Sequence, residues 1–163
     1  MLAARLIQLI ETHAEGLTRE VLQDFTTNPK TQLLQKAPRA ELEARIGSLY
    51  RNLGAWIGDP RDDAVQAEYE EWGRRRFRQG IPLSEIVYAL VLIKHHLRRY
   101  IRDHGLVQFS ADSAVSGEFL PVHLHAVQEL NFMVGEFFDR ALYYLARGYE
   151  AEAQGARSEV HRS

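Results

Sequence analysis

Cysteine is absent from the 163 residues, which removes a disulfide framework, a redox thiol pair and any thiolate metal site. Proline (five) and glycine (11) are too few for a low-complexity chain. Charge of one sign is also missing: 20 Lys and Arg against 22 Asp and Glu leave a formal charge of −2. No global field draws such a chain to a polyanion, so nucleic acid is not an expected partner.

No apolar run approaches the ~18 residues that a membrane span needs. The longest, Ile86 to Ile93, contains Tyr88. The N-terminus acquires Arg5 and Glu11 before a signal-peptide core can form. A soluble, cytoplasmic protein without membrane contact is expected. There is no Gly-x-Ser-x-Gly elbow, no Gly-rich phosphate loop and no carboxylate pair flanked by apolar residues. Asp62-Asp63 and Glu70-Glu71 stand in charged contexts and read as solvated helix faces. Period-two alternation and fixed-length repeats are lacking as well.

What is present is a 45% hydrophobic content laid out at helical spacing over a length that suits one domain. Leu6, Leu9, Ile10, Leu17, Val21, Leu22 and Phe25 form one stripe, and Asn28-Pro29 ends it. Leu42, Ile46, Leu49, Tyr50, Leu53, Trp56 and Ile57 form a second, closed by Gly58-Asp59-Pro60. A third helix, from about Arg61 to Gln79, carries Val65, Tyr69, Trp72 and Phe77. Gly80 is its C′ residue, and Arg74, Arg75, Arg76 and Arg78 complement the negative end of its dipole.

Pro82 opens a fourth helix that runs to Gly105 on a wide apolar arc. Leu106 to Gly117 reads as a loop. A fifth helix, entered near Pro121, holds its spacing from Leu120 to Tyr149, about eight turns. The sequence therefore predicts an all-α, single-domain bundle of five to six helices over residues 1–150. Residues 151–163 form a polar tail or linker.

Histidine is the first place to look for chemistry. His95 and His96 lie about 100° apart around a helix and His123 and His125 about 200°, whereas two ligands on one face need a separation of three or four. No acidic partner completes either pair, so no metal and no cofactor are expected. His96 sits near the buried arc of the fourth helix, where a core histidine bonded to a neighbour or a haem ligand would stand.

The Arg74–Arg76 cluster fits either a solvated helix end or a site for phosphate or an acidic partner surface; no second basic patch extends it. Phe132, Phe137, Phe138, Tyr143, Tyr144 and Tyr149 exceed what one narrow stripe holds. Some are expected at a partner helix or a second subunit, which makes a symmetric homodimer the expected assembly.

The segment Trp72-Gly73-Arg74-Arg75-Arg76-Phe77-Arg78-Gln79-Gly80-Ile81-Pro82-Leu83-Ser84-Glu85-Ile86 resembles the signature of the RsbRD-type N-terminal domain of RsbT co-antagonists. In that family a helix ends in an Arg-rich, Gln-Gly-Ile/Val-Pro-Leu turn and a long helix follows. The Phe137-Phe138-Asp139-Arg140-Ala141-Leu142-Tyr143-Tyr144 run extends the similarity towards the C-terminus.

The resemblance implies a non-catalytic sensory or dimerisation module of bacterial stress signalling, alone or ahead of a STAS or histidine-kinase output domain. No output domain follows within these residues, so a stand-alone member or a domain of a longer protein is expected. The resemblance also implies a globin-like helical arrangement, with a plain antiparallel four-helix bundle as the alternative. A haem or small-ligand sensor, and an enzyme with a site assembled across helices, are the competing classes.

Overall fold

The computed structural model describes residues 2–58, 61–112 and 120–163. Among them it contains helices and no strand. The order is α1 (Leu2–Thr12), α2 (Ala14–Thr27), two 3-10 turns (Pro29–Thr31 and Leu33–Lys36), α3 (Arg39–Arg51), α4 (Leu53–Gly58), α5 (Asp63–Arg78), α6 (Leu83–Asp112) and α7 (Leu120–Val160).

The all-α bundle is as predicted, but its α-helices exceed five to six because two predicted helices are broken. The first breaks at His13, whose N–H reaches Leu9 and Ile10 carbonyls at 3.1 Å each before the helix resumes. The second breaks at Asn52, beyond which the Gly54 N–H donates to the Glu11 carboxylate at 2.9 Å. That carboxylate, from α1, satisfies a first-turn donor of α4 that has no partner in its own helix. Asn28-Pro29 does end α2, with the Asn28 carboxamide oxygen accepting from Lys30 N–H at 3.0 Å.

The α5–α6 corner is a Schellman turn. Ile81 N–H donates to Arg76 O at 3.1 Å and Gly80 N–H to Phe77 O at 2.9 Å, with Gly80 at φ +72° and Ile81 buried. Beyond it, Pro82 O accepts from the Glu85 and Ile86 N–H groups of α6 at 3.1 and 3.3 Å, and the Glu85 carboxylate accepts from Leu34 N–H at 2.8 Å.

α6 passes Gly105 and continues to Asp112, so the expected loop begins later than predicted; its part over 113–117 lies outside the described residues. At Gly105 a Cβ would stand 3.2 Å from Val127 of α7, a spacing that fits the close approach of the two helices. α7 likewise runs beyond Tyr149 to Val160, through the polar segment.

α5 and α7 run parallel, joined at Asp62–Arg140 and at Arg78–Glu152, and α6 lies antiparallel to both. α1 to α4 cover the inner faces of α6 and α7. The core includes Ile10, Val21, Ile46, Tyr50 and Leu53 below, Ile93, Leu97 and Ile101 on α6, and Leu130, Val134, Phe137, Ala141 and Leu145 on α7. The buried Tyr50 hydroxyl donates to Ile93 O at 2.8 Å, and burial, with Glu20 nearby, pushes its pKa well above the usual value.

Candidate interaction surface on the two long helices

The six aromatics singled out along α7 divide by their position around it; Tyr149 is held within the chain, its hydroxyl donating to Ile81 O at 2.8 Å. Phe137 and Phe138 belong to the core of the same chain rather than to an outer face. Phe137 packs against Trp56 and Tyr69 with ring centroids 5.8 and 5.9 Å away. α7 contacts α5, α6, α1 and α4, and this wide buried arc takes both rings. Tyr144 donates to Asp62 at 2.9 Å and is held within the chain. Phe132 and Tyr143 are the outward pair, 67% and 59% exposed. Eleven residues bring a helix back to within about 20° of the same direction, so the two rings share one face.

Glu136 and Asp139 lie on that face between the two rings, and Glu129 flanks it. All three are exposed, and none has a hydrogen bond or ion pair within the described residues. Beside them, α6 turns Lys94, His95, Arg98, Arg99 and Arg102 towards a groove of about 480 Å³ that Asn131 of α7 closes. Arg102 reaches only its neighbour Asp103, at 3.0 Å; Lys94, Arg98 and Arg99 are unpaired among the described residues. A second basic patch therefore exists, contrary to expectation. The step of four from Lys94 to Arg98 to Arg102 is its trace in the sequence.

The predicted basic cluster is instead engaged within the chain. Arg74 pairs with Glu70 at 3.2 Å and Glu71 at 3.6 Å, and Arg75 with Glu41 at 3.2 Å. Arg76 has no exposed side-chain surface; its Nη1 donates to Glu41 at 3.0 Å and to Gln79 at 2.6 Å. Burial lowers the Arg76 pKa, and the Glu41 carboxylate opposes that shift. These arginines fasten α5 to α3, and Arg78 fastens it to Glu152 of α7. Gly80 and Pro82 form the predicted turn.

His96 lies between α6 and α2, with Nε2 2.8 Å from Asp24 Oδ2 and Nδ1 3.9 Å from Glu20. The nitrogen that a haem iron would need is thus engaged by a carboxylate. His95 is exposed on the other side, and no three His, Asp or Glu among the described residues are grouped to hold a metal ion. No helix among them is long and apolar enough to cross a membrane.

Residues 14–163 match the family model described as the RsbT co-antagonist protein rsbRD N-terminal domain. No curated protein and no solved structure matches the chain. The match runs from the start of α2 through the Arg-rich turn and both long helices, and the chain belongs to the RsbT co-antagonist rsbRD N-terminal domain family.

Proposed function

We propose that this domain is a non-catalytic sensor or adaptor that self-associates through the outer face of α7 and passes a signal along that helix. The observation that carries the proposal is the same-face exposure of Phe132 and Tyr143 on a helix of 41 residues. Two large rings three turns apart are a costly surface for a monomer, and one patch paired with its twin buries both. Residues 1–150 are the sensory and dimerising body. Residues 151–163 are the linker, and because α7 continues through them to Val160, a shift of α7 reaches an output partner of STAS or histidine-kinase type as a rigid movement.

Family membership supports the signalling class. The polar clusters support the absence of catalysis: Arg76 with Glu41 and His96 with Asp24 are occupied in joining helices. A cytoplasmic location, expected from the sequence, and a globin-like arrangement, implied by the family resemblance, belong to the same proposal.

Light scattering across micromolar concentrations tests it. A mass near twice 18.7 kDa is expected, falling to the single-chain value in Phe132→Asp and Tyr143→Asp. A parent protein that stays at 18.7 kDa at every concentration contradicts it.

A further inference from the structure

The outer face of the α6–α7 pair carries two unpaired charge sets side by side. Most other charged residues of α5 and α7 are already partnered: Glu70, Arg74, Arg76, Arg78, Arg140 and Glu152 all have ion pairs, Arg140 with Asp62 just before α5. On this face the cations of α6 and the carboxylates of α7 have none beyond the Arg102–Asp103 neighbour contact. Long side chains of opposite sign left apart on adjacent helices are complementary to a copy of themselves.

Their heights along the bundle also agree. Gly105 lies against Val127, and α6 and α7 run in opposite directions. Counting from that contact at 1.5 Å per residue puts Glu129 level with Asp103 and one residue from Arg102, Glu136 level with His96, with Arg98 and Arg99 on one side and His95 on the other, and Asp139 level with Ile93 and one residue from Lys94. A two-fold axis parallel to the helices keeps these heights and exchanges left for right, laying α7 of one copy over α6 of the other. An axis perpendicular to the helices in the plane of the layer would lay α6 over α6 and set cation against cation.

We infer that the groove beside Lys94, Arg98, Arg99 and Arg102 receives the acidic, Phe132-bearing face of α7 from a second copy of this chain, about an axis parallel to the helices. The inference rests on the self-association proposed above and specifies its partner surface. Each interface then contains the same α6–α7 contact twice, and both copies of α7 leave the dimer at the same end. The area suffices: two helices of about 30 residues present a layer roughly 45 Å by 20 Å, about 900 Å² per copy, the size of an ordinary specific interface.

The test uses two full-length double variants, Arg98→Glu/Arg99→Glu and Glu136→Arg/Asp139→Arg. Each places like charges across the axis, and each should self-associate about tenfold or more weakly while keeping the parent's helical circular dichroism. An equimolar mixture restores opposite charges at both halves of the interface, so a heterodimer of parental strength is expected. It should weaken as ionic strength rises.

Either variant dimerising like the parent, or a mixture that stays monomeric, overturns the inference. A dimer broken by Phe132→Asp yet indifferent to all four charge reversals overturns it and leaves self-association standing. A parent that is monomeric throughout removes both. Saturable binding of inorganic phosphate by such a monomer, lost in Arg98→Glu/Arg99→Glu, would assign the groove to a small anion instead.

Discussion

Gly73 of α5 and Gly148 of α7 occupy one helix crossing, and each helix backbone fills the space where the other's side chain would stand. A Cβ on Gly73 would lie 2.1 Å from the Leu145 carbonyl oxygen, and one on Gly148 would lie 2.0 Å from that of Glu70. With backbone on both sides there is no flexible side chain to yield. Gly148→Ala therefore forces the helices apart and should cost about 1–3 kcal/mol, as over-packing does. Urea unfolding should show a lower midpoint at unchanged slope. Gly135→Ala, with nothing within 4 Å, is the control and should be neutral or slightly stabilising.

At Gly80 the limit is conformation, since its φ is +72° and the nearest atom to a Cβ is Lys36 Nζ at 3.8 Å. Gly80→Val should lose about 1 kcal/mol or more through backbone strain. A thermal melt unchanged by the substitution would contradict the turn.

Arg76 and Glu41 respond unequally to truncation. Glu41→Ala leaves a buried guanidinium with Gln79 as its remaining side-chain hydrogen-bond partner and should cost about 3 kcal/mol or more. Arg76→Met removes the charge and keeps the volume, while Glu41 retains Arg75. Equilibrium unfolding should rank Arg76→Met as the milder change.

Acid should loosen both ends of the α5–α7 contact. The Arg140 and Tyr144 hydrogen bonds hold the Asp62 pKa below its usual value, and Arg78 does the same for Glu152. A carboxyl with a depressed folded pKa adds stability that is present above its unfolded pKa and is lost as pH falls through the folded value. Stability should therefore decline below about pH 4, and less steeply in Asp62→Asn/Glu152→Gln. Thermal melts across that range measure the difference. Equal slopes for the two proteins would contradict the assignment.

Local order was legible where the determinants are local. The Leu130, Val134, Phe137, Ala141, Leu145 stripe, the Asn28-Pro29 stop and the Gly80 turn each follow from spacing or from one residue's backbone preference. The breaks at His13 and Asn52 were hidden because the apolar period carries across them, and Glu11, from a distant helix, supplies a donor's partner near the second. The partner surface was only half visible. Spacing shows that α7 has too many aromatics, but which of them face outward depends on α5, α6, α1 and α4 surrounding it. Likewise, the four-residue step of Lys94, Arg98 and Arg102 is plain, yet only packing against α2 and α7 shows that this side of α6 is open.

The most direct measurement is the distance between the two copies of α7 near their C-terminal ends. The chain has no cysteine, so Gly155→Cys, at an exposed site with nothing within 4 Å of a Cβ, accepts a single nitroxide. With helix layers about 10 Å apart, a two-fold axis parallel to α7 puts these labels within about 35 Å of each other. Pulsed dipolar spectroscopy should return one short distance in that range. A distance of about 50 Å or more, as antiparallel copies crossing between Phe132 and Tyr143 would give, or no dipolar coupling at all, would contradict it.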